Sequence, residues 1–276
     1  MREKTNSDKN VVQNFMMSYP DFLSEKRLGE IRDKILGFYE SLRWEEKPDL
    51  EPFFYAMVAY GRLQETNPQK SPYIWVVDFS KSNSENRFFV INLGTLTVEN
   101  ATCVWHWKNS WWEIPSKFSN KKWSLQSSLW AFRTIWDLKE NTKWTWKWLM
   151  VEWLEDTDYR AESRWIFIHP WGVDKSEGCF TIPTKWNDLK EFYDITNKLK
   201  WWCLVYAYYS EEYLKDSWIV NPSSRNIVSM GKKLMHDFKL HLKSNASKTK
   251  KSIIKAFTKD KWKSINEKND NYKKVA

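Results

Sequence analysis

The stretch IHPWGVDKSEGCF, residues 168–180, places His169 ten residues before Cys179, with Ser176 and Gly178 just ahead of the cysteine. An imidazole that stabilises a thiolate makes a nucleophile near neutral pH. Gly178 lets a substrate approach the backbone, the N–H groups around residues 178 and 179 could face an oxyanion, and Ser176 could hold the loop. The alternative is a buried thiol near a structural histidine, the commoner role of each residue alone.

The segments that flank this stretch predict where the pair lies in the fold. RWIFIH, residues 164–169, alternates as a strand does, with Ile166 and Ile168 inward and His169 at its end. After the cysteine, a helix is predicted beyond Pro183 and Thr184, followed by a strand at CLVYAYY, residues 203–209. The helix carries Leu189, Phe192, Ile195 and Leu199. The pair is therefore expected at a short loop beside a rigid sheet.

The first third of the chain predicts two helices and then strands. Helical spacing within residues 24–44 involves Leu28, Ile31, Ile35, Phe38 and Leu42. A second helix is predicted over residues 50–63, with Pro52 in its first turn and Phe53, Met57 and Tyr60 inward. YIWVVDF, RFFVINL and TLTVENATCVW, which begin at residues 73, 87 and 95, are typical of strands.

These patterns predict a mainly β protein with helices, of the α+β class. We divide it into a helical N-terminal segment at 1–70, a β-sheet domain at 71–222 and a lysine-rich tail at 223–276. From Lys232 onward, 14 lysines face four acidic residues, a net charge of +10, which leaves −1 for residues 1–231. Because the charge of +9 is confined to the tail, no nucleic-acid partner is expected.

The tail itself is expected to be a solvated, partly helical or disordered extension. The alternative is contact with an anionic polymer or a membrane surface. No export signal is visible in MREKTNSDKN at the N-terminus, and no run of about 20 apolar residues could span a membrane. Three cysteines leave at least one unpaired within the chain. No HExxH or paired CxxC motif is present, so no metal site is expected, and nothing in the sequence requires a cofactor.

Four stretches in order resemble the murein L,D-transpeptidase catalytic family of bacterial cell-wall cysteine enzymes. They are VVDFSKSNSENRFFVINL (76–93), VWHWKNSW (104–111), FSNKKWSLQSSLWAFRT (118–134) and the IFIHP and KSEGCFTIP segments (166–183). The resemblance implies a β-sheet catalytic domain in which Cys179 is the nucleophile and His169 the base. It also implies substrate-binding roles near the active face for His106, Lys108, Asn109 and Ser110, although a packed or surface histidine remains the alternative for His106.

By this resemblance, the substrate is a peptidoglycan stem peptide and the expected location is the cell envelope or periplasm. The predicted reaction is 3-3 cross-linking, or L,D-carboxypeptidase hydrolysis, through a cysteine acyl-enzyme. The interval between His169 and Cys179 is shorter than the family's, and Glu177 and Phe180 replace its usual neighbours, which affects the substrate-covering loop. Two alternatives stay open, a noncatalytic wall- or glycan-binding protein with a decayed dyad and a cysteine peptidase of other specificity.

Tryptophan is abundant where the family pattern has glycine. The chain has 20 Trp and 7 Gly, whereas average usage predicts roughly 19 glycines. The glycine-like positions are Trp107, Trp111, Trp123, Trp130, Trp148, Trp153, Trp171 and the Trp201–Trp202 pair. We expect a source that reads the UGA codon as glycine and a translation that read it as tryptophan. The rival interpretation is a set of aromatic faces that stack on sugar rings, but such a platform needs aligned aromatics and these residues are expected in turns.

Overall fold

The computed structural model describes residues 25–43, 45–66, 68–105, 114–115, 117–119, 124, 126–140, 147–154, 166–171, 178–184, 189–200, 202–210, 236 and 240. Met1–Val228 form one compact unit and Ser229–Ala276 another. In the second unit the description covers His236 and Leu240, which are helical and exposed. The predicted conformation of the tail otherwise lies outside the described residues. Among the described residues, no helix has both the length and the apolar character to cross a bilayer.

The described residues form an eight-stranded mixed sheet. The strands are β1 (Tyr73–Asp78), β2 (Phe88–Asn92), β3 (Thr97–Thr102), β4 (Trp130–Glu140), β5 (Lys147–Trp153), β6 (Phe167–Trp171), β7 (Phe180–Pro183) and β8 (Leu204–Tyr208). Their order is β3-β2-β1-β8-β4-β5-β6-β7. β1 pairs with β8, and β6 with β7, in parallel, and the other neighbours are antiparallel.

The sheet is nearly closed because the chain beyond β3 reaches back to β7. The Trp105 N–H donates to the Thr181 carbonyl at 2.8 Å. Arg87, fully buried, steadies this connection, since its Nε donates to the Val104 carbonyl at 2.8 Å and its Nη1 to the Lys81 carbonyl at 2.9 Å. A mainly β domain with helices is thereby confirmed.

The described part of the chain contains three helices, all at predicted places: α1 (Glu25–Ser41), α2 (Leu50–Thr66) and α3 (Lys190–Lys198). α2 is buried on nearly every side and packs on β1 and β8. After α2, the buried Gln69 donates to the Tyr73 carbonyl and accepts from the Leu204 N–H, both at 2.8 Å. One side chain thus joins the starts of β1 and β8 and holds this parallel pair in register.

The structure differs from the sequence-based expectation in three places. No strand was predicted from the sequence at the positions of β4, β5 and β7. The placement of His169 at a strand end was wrong, because β6 continues to Trp171. The expectation that the glycine-like tryptophans occupy turns was also wrong for Trp148 and Trp153, which lie within β5, and for Trp171, the last residue of β6.

Backbone geometry at two other tryptophans is unusual. Among the described residues, the non-glycine positions with positive φ are Leu96 at 51°, Trp130 at 83° and Trp202 at 69°. Trp130 is the first residue of β4, and Trp202 lies in the turn that precedes β8. Left-handed backbone is uncommon for L-residues and is an outlier for a bulky side chain. Both positions were among those where a glycine was expected.

Candidate active site

The parallel pairing of β6 and β7 brings the two halves of the quoted stretch together. His169 lies opposite Thr181, and Ile168 lies opposite Phe180. Because strand side chains alternate, Ile168 and Phe180 share one face, and His169 and Thr181 share the other. The first pair faces the core, where both side chains are almost completely buried. The second pair forms the candidate site.

His169 is held through both ring nitrogens. Its Nδ1 lies 3.3 Å from the Pro170 carbonyl oxygen, and its Nε2 lies 3.3 Å from the Thr181 hydroxyl oxygen. A carbonyl can only accept, so Nδ1 carries the proton in that bond and Nε2 is the basic nitrogen of the neutral ring. Burial lowers the pKa of His169, and the bond to Pro170 opposes this shift. The ring is therefore neutral near pH 7 and able to accept a proton.

Cys179 directly precedes β7 and is half-buried. Strand alternation continued two residues back from Thr181 places position 179 on the side that carries His169. A two-residue offset on neighbouring strands corresponds to about 8 Å between Cα atoms, a span that two side chains can bridge. Gly178 has φ of 98°, a conformation that suits glycine, so the chain turns there immediately before the cysteine.

Phe180 anchors the cysteine segment to the core. Its ring meets Phe132 edge-on with centroids 5.4 Å apart and stacks with Phe79 at 6.3 Å. Such aromatic pairs fix side-chain positions beyond the effect of burial alone. The departure from the family's usual residue after the cysteine is thus accommodated by an aromatic core, which holds the start of β7 in place.

The other two thiols are poorly suited to nucleophilic chemistry. Cys203 is fully buried, and burial raises its pKa to about 11. Cys103 is half-buried, and its pKa is raised by burial and further by Glu46, while Arg87 opposes the shift. Both remain thiols at neutral pH, and the thiolate is the reactive form. Cys179 is therefore the best placed of the three for attack.

Several predicted site residues lie outside the described residues, namely Ser176, His106, Lys108, Asn109 and Ser110. Their roles stay predictions. Trp105, the described residue directly before position 106, donates its N–H to the Thr181 carbonyl. Among the described residues, no group of three or more His, Cys, Asp or Glu side chains could hold a metal ion.

Two groups at the site were missed by sequence reasoning, the Pro170 carbonyl and the Thr181 hydroxyl. A backbone carbonyl leaves no signal in residue identity. Thr181 could have been found from spacing, because it lies two residues after Cys179 and so on the same side of a strand. The four-residue strand β7 was too short to be recognised.

Comparison with known families identifies one match. A family model described as L,D-transpeptidase catalytic domain matches residues 45–208, more than half of the chain. The match includes β6, β7, His169 and Cys179, and it also includes α2. No curated protein and no solved structure matches the chain.

Proposed function

The chain belongs to the L,D-transpeptidase catalytic domain family, and from that premise we propose that it is a cysteine acyltransferase acting on peptidoglycan stem peptides. Members of this family typically work in the cell envelope, and we propose the same location for this chain. Cys179 is the nucleophile and His169 the general base in this proposal. No metal or cofactor takes part in the steps that it contains.

The proposed reaction has two steps. His169 Nε2 takes the thiol proton, and the Cys179 sulfur attacks the carbonyl after the L-centre of diaminopimelate in a tetrapeptide stem. The bond to the terminal D-alanine breaks, its nitrogen takes the proton back from His169, and a thioester remains. His169 then takes a proton from an amine of a second stem as its nitrogen displaces the sulfur to form a 3-3 cross-link, and this proton returns to the Cys179 sulfur. Water in place of the amine would give L,D-carboxypeptidase hydrolysis.

One observation carries this proposal, the paired register of His169 and Thr181 next to the cysteine segment. It supports a neutral imidazole whose basic nitrogen faces the same side of the sheet as position 179. The turn at Gly178 leaves backbone N–H groups near the cysteine, and we propose these as donors to the oxyanion. The protonated state of Cys103 and Cys203 supports the choice of Cys179.

The test is incubation of the full chain with tetrapeptide muropeptides, with D-alanine release and the thioester followed by mass spectrometry. We expect Cys179→Ala to abolish both signals. Cys103→Ala is the matched control, because it removes a half-buried thiol outside the proposed site, and should keep activity within about twofold. Full activity in Cys179→Ala would exclude it as the nucleophile.

The products also separate the remaining alternatives. Cross-linked dimers identify a transpeptidase, and tripeptides with free D-alanine identify a carboxypeptidase. No turnover, together with salt-sensitive peptidoglycan binding that Cys179→Ala leaves unchanged, would favour the noncatalytic wall-binding protein. Turnover of unrelated peptides alone would favour a cysteine peptidase of other specificity.

We also propose that the natural chain carries glycine at Trp130 and Trp202. Their φ angles of 83° and 69° support this, since glycine adopts such conformations without a Cβ penalty. Gly178 has a similar φ of 98°. The excess of tryptophan over glycine, 20 against 7, is a second and independent support. A source that reads UGA as glycine accounts for both observations.

A peptide mass spectrum of the protein from its own source tests this proposal. Glycine masses are expected at positions 130 and 202, whereas Trp44, Trp186, Trp218 and Trp262, outside the glycine-like positions, should retain tryptophan masses. Tryptophan at both positive-φ positions would refute the recoding. Activity should then be measured on a protein that carries, at positions 130 and 202, the residues that the mass spectrum identifies.

A further inference from the structure

Thr181 is a buried polar residue that the proposed reaction does not use. It has no exposed surface, and its hydroxyl oxygen lies 3.3 Å from His169 Nε2. A buried hydroxyl without a partner would cost free energy, so the contact matters for both groups. The nitrogen involved is the one that must exchange a proton with the thiol.

The position of this hydroxyl is fixed from both sides of β7. On one side, the parallel register places Thr181 directly opposite His169. On the other side, the Thr181 carbonyl accepts the Trp105 N–H at 2.8 Å. A β-branched side chain on such a backbone has few rotamers. The hydroxyl is therefore held in place before any substrate binds.

A hydroxyl suits a base that changes its protonation state. When His169 is neutral, the Thr181 O–H can donate to Nε2, and when the ring is charged, the same oxygen can accept from Nε2–H. The Pro170 carbonyl accepts from Nδ1–H in both states. The ring thus has the same two partners before and after proton transfer, and the Thr181 hydroxyl gives up its bond to Nε2 only while that nitrogen takes the thiol proton.

We propose that Thr181 is a positioning residue, whose hydroxyl, together with the Pro170 carbonyl, fixes the orientation of the His169 imidazole for proton exchange with Cys179. The inference rests on the proposed function of His169 as the base. It adds a residue that lies after the nucleophile in sequence and beside the base in space.

Thr181→Val tests the proposal, because valine keeps the shape of threonine and lacks the hydroxyl. We expect kcat to fall about tenfold with KM nearly unchanged, the effect of one hydrogen bond to a group that becomes charged. Thr181→Ser should restore kcat to within about twofold of the starting protein. The Ala and Ser variants at 181, which differ by the hydroxyl alone, repeat the comparison should valine disturb folding.

Thr134→Val is the matched control. Thr134 is another fully buried threonine, and its hydroxyl oxygen accepts the Cys203 N–H at 2.9 Å, outside the proposed site. We expect Thr134→Val to lower stability while leaving kcat unchanged. An equal loss of kcat in both valine variants would overturn the proposal, because it would indicate a general loss of structure.

A measurement that needs no turnover separates this inference from the proposed function. In ¹⁵N NMR of the full chain, with His169 assigned through His169→Gln, loss of the hydroxyl should move the Nε2 resonance downfield in Thr181→Val but not in Thr181→Ser. An unmoved resonance would refute the positioning role even in an active enzyme. A moved resonance in a protein that turns over no muropeptide would support the contact while the proposed reaction fails.

Discussion

At the scale of a single residue, the environment of His169 makes stability depend on pH. Its pKa is lowered in the folded protein by burial, so below the usual value of about 6.5 the unfolded chain binds a proton that the folded chain resists. Protonation of His169 therefore leaves the free energy of unfolding unchanged above that pH and lowers it below that pH. Activity that needs the neutral base should be retained somewhat below pH 6.5 for the same reason.

We expect the free energy of unfolding to fall more steeply between pH 7 and pH 5 in the starting protein than in His169→Gln. The difference in slope should be at most about 1.4 kcal/mol per pH unit. Urea unfolding of both proteins across this range measures the difference. Parallel curves for the two proteins would show that His169 titrates normally in the folded state.

The positive φ of Trp202 gives a second prediction at this scale. Trp202 is 38% exposed, and its ring lies 4.0 Å from the Arg133 guanidinium carbon, a cation–π contact that any small residue would lose. Alanine keeps the Cβ in left-handed backbone, and glycine removes it. We therefore expect Trp202→Gly to be more stable than Trp202→Ala by about 1 kcal/mol. Thermal unfolding of the two variants measures which is the more stable. A more stable Trp202→Ala would indicate that the turn carries no strain.

At the scale of elements, Arg87 connects β2 to the segment that closes the sheet. Burial lowers its pKa to about 10, so the guanidinium stays charged at neutral pH while it donates to the Val104 and Lys81 carbonyls. Arg87→Met keeps an apolar stem and leaves those carbonyls without this donor. We expect a loss of about 2–3 kcal/mol in urea unfolding and faster exchange of the Trp105 amide.

The control for this prediction is Arg43→Met. Arg43 also donates to a backbone carbonyl, that of Thr95 at 3.2 Å, but it is exposed. Water can replace that bond, so we expect a loss below about 0.5 kcal/mol. Equal losses in the two variants would mean that the buried position of Arg87 adds nothing to the closure of the sheet.

The helices and strands also differ in how well the sequence predicts them. Helical spacing predicted α1 and α2, and β-branched runs predicted β1, β2, β3 and β8, because each pattern is local. β4 and β5 were not predicted, because their sequences, WAFRTIWDLKE and KWLMVEW, lack regular alternation. Residue types and spacing proposed His169 and Cys179 as a pair, but the register of His169 with Thr181 and the contact between these two side chains depend on pairing between strands, which spacing along the chain does not encode.

At the scale of the whole molecule, the helical segment and the sheet are joined more closely than a boundary at residue 71 implies. The family match begins at residue 45 and so includes α2. Phe53 and Ala56 of α2 have no exposed surface, and Glu51 accepts the Tyr208 hydroxyl at 2.6 Å. Removal of α2 would expose the faces of β1 and β8 on which it packs.

Truncation tests this dependence. We expect a chain that starts at residue 71 to lose cooperative unfolding, because it lacks both the apolar surface of α2 and the Gln69 bonds that join β1 to β8. A chain that ends at residue 228, the boundary of the first compact unit, is the control and should unfold cooperatively near the full-length midpoint. Cooperative unfolding and muropeptide turnover in the chain starting at 71 would show instead that the sheet is an autonomous catalytic domain. Loss of cooperative unfolding in the chain that starts at 71, but not in the chain that ends at 228, would make α2 part of the catalytic domain.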